Sequence, residues 1–349
     1  MYRRAQIALV ANAVLIGVAA IVVSMVADKP LIDPDGSFLG PTWMRLPLLL
    51  MAALAFDLVP RTLWDSRFKP TLWRSIALRR LRTHWNQERL MLVALGVIGF
   101  YIVYVSYRNL KSALPALTDA QFDHELHLID KALFFGHEPG VVLQAAIGTH
   151  VAAWFLSYVY LWFLPLVPIA VTCWLVWSRN LSFGYWFVCA QAIAWTLGTV
   201  SYYALPTVGP GIQYPHVYQP LTHTPTSDLM NALVNARYNA LWDTQARAAQ
   251  TVAGFASLHV AITLLTALMV QYTVGIKWLR ILFWVNFCCT AVATLYFGWH
   301  YVSDDVAGVM IALTAFYLGG VASKQQFRRR GFARREALEA EPSARITAV

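Results

Sequence analysis

Apolar residues are grouped along the chain into eight runs separated by polar segments. Most of the runs are about 20 residues long, which is enough for a helix to cross the hydrocarbon core of a bilayer. We therefore predict eight transmembrane helices, near residues 7–27, 44–60, 90–107, 148–177, 183–205, 254–273, 280–299 and 304–322. Pro165 and Pro168 predict a kink or a break in the fourth.

The composition agrees with this pattern. Hydrophobic residues make up 58% of the 349 residues, charged residues only 13%, and the mean hydropathy is +0.51. These values are typical of a chain dissolved in lipid and exclude an ordinary soluble domain. The predicted fold class is an all-α, polytopic membrane helical bundle.

The positive charges are distributed unevenly between the two sides of the predicted membrane. Twenty of the 27 Lys and Arg residues fall at the termini or in alternate loops. Because positive residues favour the cytoplasmic side, we expect both termini in the cytoplasm and the protein in the cell membrane. The segments 108–147 and 206–252 are then extracytoplasmic.

Two cytoplasmic segments carry most of this charge. Residues 61–89 alternate arginines with aromatic and aliphatic residues, a pattern typical of a helix lying on an anionic membrane face. The stretch is too short for a nucleic-acid-binding module, so we expect no nucleic-acid partner. The tail, residues 323–349, reads as a basic anchor followed by disorder.

The first outer segment contains a helix-start pattern. Thr118 and Gln121 are spaced as in a capping box, and apolar residues follow at helical spacing: Phe122, Leu126, Ile129 and Leu133. We predict a helix lying along the outer membrane surface and ended by Asp130 and the turn Gly136-His-Glu-Pro139. Three nearby histidines are interpreted as solvated or interfacial residues: His124, His127 and His137.

The second outer segment, 206–252, also has apolar residues at helical spacing and leads into residues 254–259. A connection of this length at an active face is typically functional, so we expect it to form a roof over the site. Four outer cations are candidate phosphate ligands, although each could simply mark the membrane interface: Arg237, Arg247, Arg108 and Lys111.

Two histidines have settings unlike those of the others. Gly254-Phe-Ala-Ser-Leu-His259 opens one apolar run, and Gly298-Trp-His300-Tyr-Val-Ser-Asp304 leads into another. With one span between each, both histidines lie at the same membrane surface. If the last run is helical from its start, His300 and Asp304 share one helix face, and the carboxylate reaches the imidazole.

At these motifs the sequence resembles the type 2 phosphatidic acid phosphatase superfamily, and within it the inositol phosphorylceramide synthase branch, as a bacterial-type integral membrane member. Ser257-Leu-His259 resembles the Pro-Ser-Leu-His of that branch, and Ala293-Thr-x-Tyr with His300-Tyr-x-x-Asp304 resembles its second motif. The resemblance covers residues 90–322. It implies a six-helix phosphatase-like core, to which residues 1–60 add two N-terminal transmembrane helices.

The resemblance also implies a mechanism without a metal or another cofactor. His300 attacks phosphorus, Asp304 orients it, and His259 protonates the departing oxygen, with a phosphohistidine as intermediate. Ser257 joins the candidate phosphate-binding residues. We find no cluster of carboxylates, cysteines or histidines at metal-ligand spacing on the outer side.

The chain departs from the superfamily pattern at three places. Ala256 stands where the synthase branch has proline, a change that we expect to affect only the turn. Ala293 and Thr294 replace the Ser-Arg of the lipid phosphatases, as in the synthase branch. The Lys-x6-Arg-Pro motif of the phosphatases is missing from the sequence, so other cations must hold the phosphate.

These departures favour an alcohol over water as the second acceptor. The leading hypothesis is a phosphotransferase that moves a phosphorylated head group from a membrane phospholipid donor to a lipid or glycan hydroxyl. The alternative is a lipid phosphatase or diphosphatase acting on a polyprenyl phosphate or a phosphatidate-type substrate. A transporter is a third possibility, but it predicts ionisable residues deep in the spans, and the apolar runs hold almost none.

Overall fold

The computed structural model describes residues 2–33, 42–242 and 254–325. Within those ranges the chain is helical and contains no β-strand. The α-helices are α1 Arg3–Val26, α2 Thr42–Asp65, α3 Pro70–His84, α4 Gln87–Leu117, α5 Asp123–Leu133, α6 Pro139–Ile147, α7 Val151–Leu161, α8 Phe163–Trp177, α9 Leu181–Ala204, α10 Pro210–Gln213, α11 Pro225–Trp242, α12 Leu258–Thr273, α13 Lys277–Tyr296 and α14 Val302–Ala322, with a 3-10 turn at Pro215–Tyr218.

Five of the described segments are long and apolar enough to cross a membrane: α1, α4, α7 with α8, α13 and α14. Helix α12 is apolar but shorter. The protein is therefore an integral membrane protein, and the predicted polytopic helical bundle is confirmed. Helices α2 and α9 occupy the two remaining predicted spans, near 44–60 and 183–205.

The predicted break in the fourth span is also confirmed. Helix α7 ends at Leu161 and α8 begins at Phe163, with Trp162 between them. Pro165 lacks an N–H, and its ring would collide with the carbonyl four residues earlier in a continuous helix. That carbonyl belongs to Leu161, where α7 ends.

Helix α9 forms the centre of the bundle. It packs against α1, α4, α8, α12 and α14, and residues on all of its faces are buried. Small residues permit this close packing: a Cβ at Gly319 of α14 would lie 2.9 Å from Cβ of Ala190 and 3.0 Å from the carbonyl oxygen of Trp186. Because lipid is itself apolar, helix association in membranes depends on such close van der Waals contact.

Helix α1 is bound to the central helix by polar contacts as well. The Gln6 amide donates to the Tyr185 hydroxyl at 2.9 Å, and the Asn12 amide donates to the Thr196 hydroxyl at 3.0 Å. Both amides would otherwise lie unpaired in an apolar medium.

The basic segment forms one end of the bundle. Arg80 of the surface helix α3 donates two hydrogen bonds, at 2.9 and 3.1 Å, to Asp57, which is fully buried. Arg89 is also buried and donates to the carbonyl oxygens of Leu175 and Ser178, at the C-terminus of α8. A cation at that position offsets the partial negative charge of the helix end.

The outer segments fold against the opposite end. In α5 the buried residues are Asp123, Leu126, His127 and Asp130, whereas Ile129 and Leu133 are exposed. The helix predicted here is confirmed: it continues past Asp130 to Leu133 and ends before the predicted turn at residues 136–139. Its polar side faces the protein and much of its apolar side faces outward.

Helix α11 is fixed to the bundle by buried hydroxyl groups. The hydroxyls of Thr226 and Ser157 lie 2.8 Å apart, and the Thr226 N–H donates to Ser157 at 3.2 Å. The described part of the predicted roof thus packs against α7 and α4. Residues 243–252 of that segment lie outside the described residues.

Candidate active site

His300 precedes α14 and does not belong to it. The helix begins at Val302, so the predicted arrangement of His300 and Asp304 on one helix face is wrong. Asp304, in the first turn, reaches back as the acidic residue of a capping box does. Its Oδ2 accepts the Tyr301 N–H at 3.0 Å and lies 3.1 Å from Nδ1 of His300.

This contact determines which nitrogen of the imidazole carries the hydrogen. A carboxylate oxygen accepts hydrogen bonds, so this contact favours the tautomer with a hydrogen on Nδ1. Nε2 then retains its lone pair. Both side chains are buried, with His300 4% exposed and Asp304 fully enclosed.

A turn containing residues 298–302, the His300 turn, precedes the helix. Gly298 has φ +71°, and a Cβ there would lie 2.5 Å from the Tyr218 ring and 2.8 Å from the Gly211 nitrogen. The Gly211 N–H donates to the Gly298 carbonyl oxygen at 2.7 Å. The outer segment therefore lies directly on the His300 turn.

Residues 254–257, the His259 turn, are joined to this assembly through the backbone. Ser257 caps α12, its hydroxyl accepting the Val260 N–H at 3.4 Å, and its own N–H donates to the Asp304 carbonyl oxygen at 2.9 Å. Gly308 of α14 makes the approach possible, since a Cβ there would lie 2.5 Å from the Ser257 carbonyl oxygen. The structure brings both predicted motifs together.

The His259 ring is held between aromatic side chains. It stacks on Tyr160 with 4.2 Å between ring centroids and lies 4.0 Å from Phe163. Tyr160 in turn stacks on Trp299, the neighbour of His300, at 5.2 Å. Sequence reasoning missed Tyr160 and Phe163, because each has the pattern of an ordinary aromatic residue in a membrane span.

Two of the predicted phosphate ligands line one cleft beside the His259 turn. Lys111 of α4 and Arg237 of α11 share it with Thr207, Tyr202 and Gly254. The Lys111 ammonium lies over the Tyr202 ring at 5.5 Å, and a Cβ at Gly254 would lie 2.5 Å from that same ring. The cleft thus reaches the first residue of the His259 turn.

The remaining predicted ligands are placed differently. Arg108 lies one turn before Lys111 and donates to the Tyr104 hydroxyl at 2.8 Å, outside the lining of the cleft. Arg247 falls outside the described residues. No group of three His, Cys, Asp or Glu side chains suited to a metal ion occurs within residues 2–33, 42–242 and 254–325.

Helix α5 contributes residues that the sequence analysis did not select. Asp123 accepts the Tyr301 hydroxyl at 3.0 Å, and Asp130 accepts the Val302 N–H at 3.2 Å with each oxygen. Burial raises the pKa of Asp130 to about 7, although the Val302 hydrogen bond opposes that shift.

His127 was expected to be a solvated or interfacial residue, and the structure rules out the solvated position. Its ring is buried, stacks on Tyr214 at 4.1 Å and lies 3.3 Å from a Glu138 oxygen. Burial lowers its pKa, while Glu138 acts in the opposite direction. His124 and His137 are exposed, as predicted.

The bundle and the histidine pair define an integral membrane protein with an enclosed imidazole–carboxylate site. The comparison with family models identifies the family: residues 124–318, more than half of the chain, match the model described as PAP2 superfamily. The chain belongs to the PAP2 superfamily, as the motifs indicated. Comparisons with curated proteins and with solved structures gave no significant match.

Membership in this superfamily supports an enzyme with lipid chemistry of the phosphatase and phosphotransferase type. The matched range contains the His259 turn, the His300 turn, helices α6 to α13, all of α5 but its first residue, and most of α14. The assignment to the narrower synthase branch stays a prediction.

Proposed function

We propose that the protein is a phosphotransferase that moves a phosphorylated head group from a donor phospholipid to a lipid or glycan hydroxyl. The observation that carries this proposal is the His300–Asp304 contact at 3.1 Å. The carboxylate holds Nδ1, which leaves Nε2 as a neutral nucleophile in a buried position.

The reaction has two displacements at phosphorus. In the first, Nε2 of His300 forms a bond to phosphorus while the bond to the donor oxygen breaks, and protonated His259 gives its proton to that oxygen. In the second, the acceptor oxygen attacks phosphorus, the N–P bond breaks, and His259 recovers a proton from the acceptor hydroxyl. Both histidines end in their starting states.

Lys111 and Arg237 are our first choices for stabilising the equatorial phosphoryl oxygens, because they enter one cleft from two helices. Arg108, Ser257 and Arg247 remain further candidates. The positive-inside pattern and the position of the basic segment at the opposite end of the bundle support an extracytoplasmic site.

The outer segment favours transfer over hydrolysis. It contacts the His300 turn at Gly211 and is anchored by α11, so it limits access of bulk water to a phosphohistidine. Thr226→Val removes one anchoring hydroxyl and should raise the ratio of hydrolysed to transferred head group. Asn235→Ala, on the exposed side of α11, is the matched control and should leave that ratio unchanged.

The direct test uses a donor lipid with a labelled phosphoryl group. After an acid-free quench, the label should be bound to the purified protein, and His300→Ala should abolish both labelling and turnover. Activity should survive excess chelator and be inhibited by vanadate, a mimic of pentacoordinate phosphorus. Full turnover in His300→Ala would refute the mechanism. Release of free head-group phosphate alone, with every hydroxyl acceptor offered, would replace the transferase with a phosphatase.

A further inference from the structure

Two buried carboxylates of α5 point at the residues that follow His300. Asp123 accepts the hydroxyl of Tyr301, and Asp130 accepts the backbone N–H of Val302. Their exposed fractions are 1% and 2%. Neither carboxylate is needed by the proposed chemistry, and burying two such groups is costly unless their hydrogen bonds are used.

Asp123 also fixes the outer segment. Its oxygens accept the N–H groups of Val208 at 3.0 Å and of Gly209 at 2.9 Å. Gly209 in turn lies so close to the His300 turn that a Cβ there would be 2.5 Å from the Trp299 carbonyl oxygen. One side chain therefore joins the backbone of the outer segment to the Tyr301 hydroxyl, next to His300.

Asp130 holds the residue that follows Tyr301. Val302 is the first residue of α14, and its N–H is one of those that a helix leaves without an internal partner. Asp130 supplies the acceptor, and its position at the helix N-terminus favours a negative charge. The same helix terminus carries Asp304, so a shift of Val302 would move the carboxylate that holds His300.

We propose that Asp123 and Asp130 are positioning residues, which hold Tyr301 and Val302, the two residues after His300, so that Nε2 lies in line with the phosphorus atom. This inference rests on the proposed role of His300 as the nucleophile. Misplacing a reacting group by about 1 Å costs on the order of 100-fold in rate. The substrate is bound elsewhere, by the cleft cations, so binding should be affected little.

The surroundings of Asp130 are predominantly acidic. Glu138 and Asp304 act on it through their charges, and it also faces the outer loop that contains Tyr218. On its own helix, His127 and Lys131 pair with Glu138, at 3.3 and 3.5 Å, and not with Asp130. An uncharged acceptor at position 130 would thus be free of repulsion from neighbouring carboxylates.

The test distinguishes a role of Asp130 as a hydrogen-bond acceptor from a purely structural role as a buried residue. In the purified full-length protein, Asp130→Ala should lower kcat about 10- to 100-fold with KM changed less than about threefold. Asp130→Asn keeps an oxygen that accepts the Val302 N–H and should restore most of kcat. Glu125→Gln, on the exposed side of α5, is the matched control and should match the unmodified enzyme.

Asp123 is tested with substitutions smaller than alanine replacement, because these preserve the fold if an alanine variant does not. Tyr301→Phe removes only the hydroxyl, and Asp123→Asn alters its acceptor. Because both act on one hydrogen bond, the kcat loss of the double variant should be less than the product of the single losses. Losses that multiply would overturn the Asp123 role.

The outcomes distinguish this inference from the proposed function. Activity in His300→Ala refutes the nucleophile, whatever the α5 variants do. If His300→Ala is inactive while Asp130→Ala keeps full kcat, or while Asp130→Asn is as impaired as Asp130→Ala, only the positioning inference is overturned.

Discussion

The backbone N–H of Ser257 donates to the carbonyl oxygen of Asp304 at 2.9 Å, so the residue before α12 is joined to the first turn of α14 without help from side chains. This contact requires α12 and α14 to approach closely at Gly308. A small displacement of one helix would separate His259 from His300.

Gly308→Ala should therefore impair catalysis severely. The added Cβ would lie 2.5 Å from a backbone oxygen, which cannot move without shifting the helix. We expect a loss of about 1–3 kcal/mol in stability, typical of overpacking, and at least a 10-fold loss in kcat. Gly275→Ala is the control, since a Cβ added there would meet no atom within 4 Å apart from its chain neighbours. Equal activity of the two variants would contradict the expected coupling.

His259→Ala should slow the reaction in a way that depends on the leaving group. A donor with an acidic leaving group departs without protonation, whereas a lipid alkoxide needs an acid. The loss in kcat/KM should therefore be at least 10-fold smaller for a nitrophenyl phosphodiester than for a phospholipid. Losses of the same size for both substrates would argue against His259 as the acid.

Ala256 should tolerate glycine but not proline. Its φ is +66°, in the left-handed region, whereas proline is fixed near −65°. A proline at this position would therefore require a different backbone conformation of the turn. We expect Ala256→Gly to be neutral or to stabilise by up to about 1 kcal/mol, because it relieves a left-handed alanine.

Ala256→Pro, by contrast, should abolish activity and lower the thermal midpoint in detergent. A fully active proline variant would mean that this turn can adopt a φ near −65° without loss of function.

Asp130 should make stability depend on pH. Its pKa is raised from 3.8 to about 7, so the folded protein binds the proton more tightly than the unfolded chain does. The resulting stabilisation is complete below pH 4 and is lost as pH rises through 7. Asp130→Asn should remove this dependence. Between pH 5 and 8 the Tm of the unmodified protein should fall more than the Tm of Asp130→Asn. The difference between the two falls should be on the order of 5 °C. The same change of Tm with pH in both proteins would contradict the raised pKa of Asp130.

The predicted topology is checked by a matched pair of cysteine substitutions in a background without the four native cysteines. Ser303→Cys, beside the candidate site, should react with an impermeant thiol reagent in intact cells. Ser75→Cys lies exposed on the basic helix α3 and should react only after the membrane is permeabilised. The reverse pattern would invert the orientation.

The sequence was sufficient for the spans and for the histidine motifs, since apolar runs and local residue spacing are short-range signals. It failed where the partner is remote. Asp130 finds its donor 172 residues later in the chain, and Asp123 meets Tyr301 across 178 residues. An acidic residue on an amphipathic surface helix has the same local pattern whether it faces water or a buried backbone N–H.

The helix-face arrangement of His300 and Asp304 was wrong for a related reason. The pattern from His300 onward is compatible with a helix, but the left-handed Gly298 and the capping Asp304 delay it to Val302. The pairing of His300 with Asp304 was expected, whereas its geometry required the structure.

The contacts between α1 and α9 also set an order of assembly. Gln6 and Asn12 find their hydrogen-bond partners 179 and 184 residues further along the chain. At a synthesis rate of about 5–20 residues per second, the first helix waits roughly 10–35 s for the hydroxyls that satisfy its amides. During this interval it resides in the translocon or the bilayer with two polar groups unmatched. In a nascent chain released before α9 has emerged, the amides of Gln6 and Asn12 would thus be available to bind other membrane proteins.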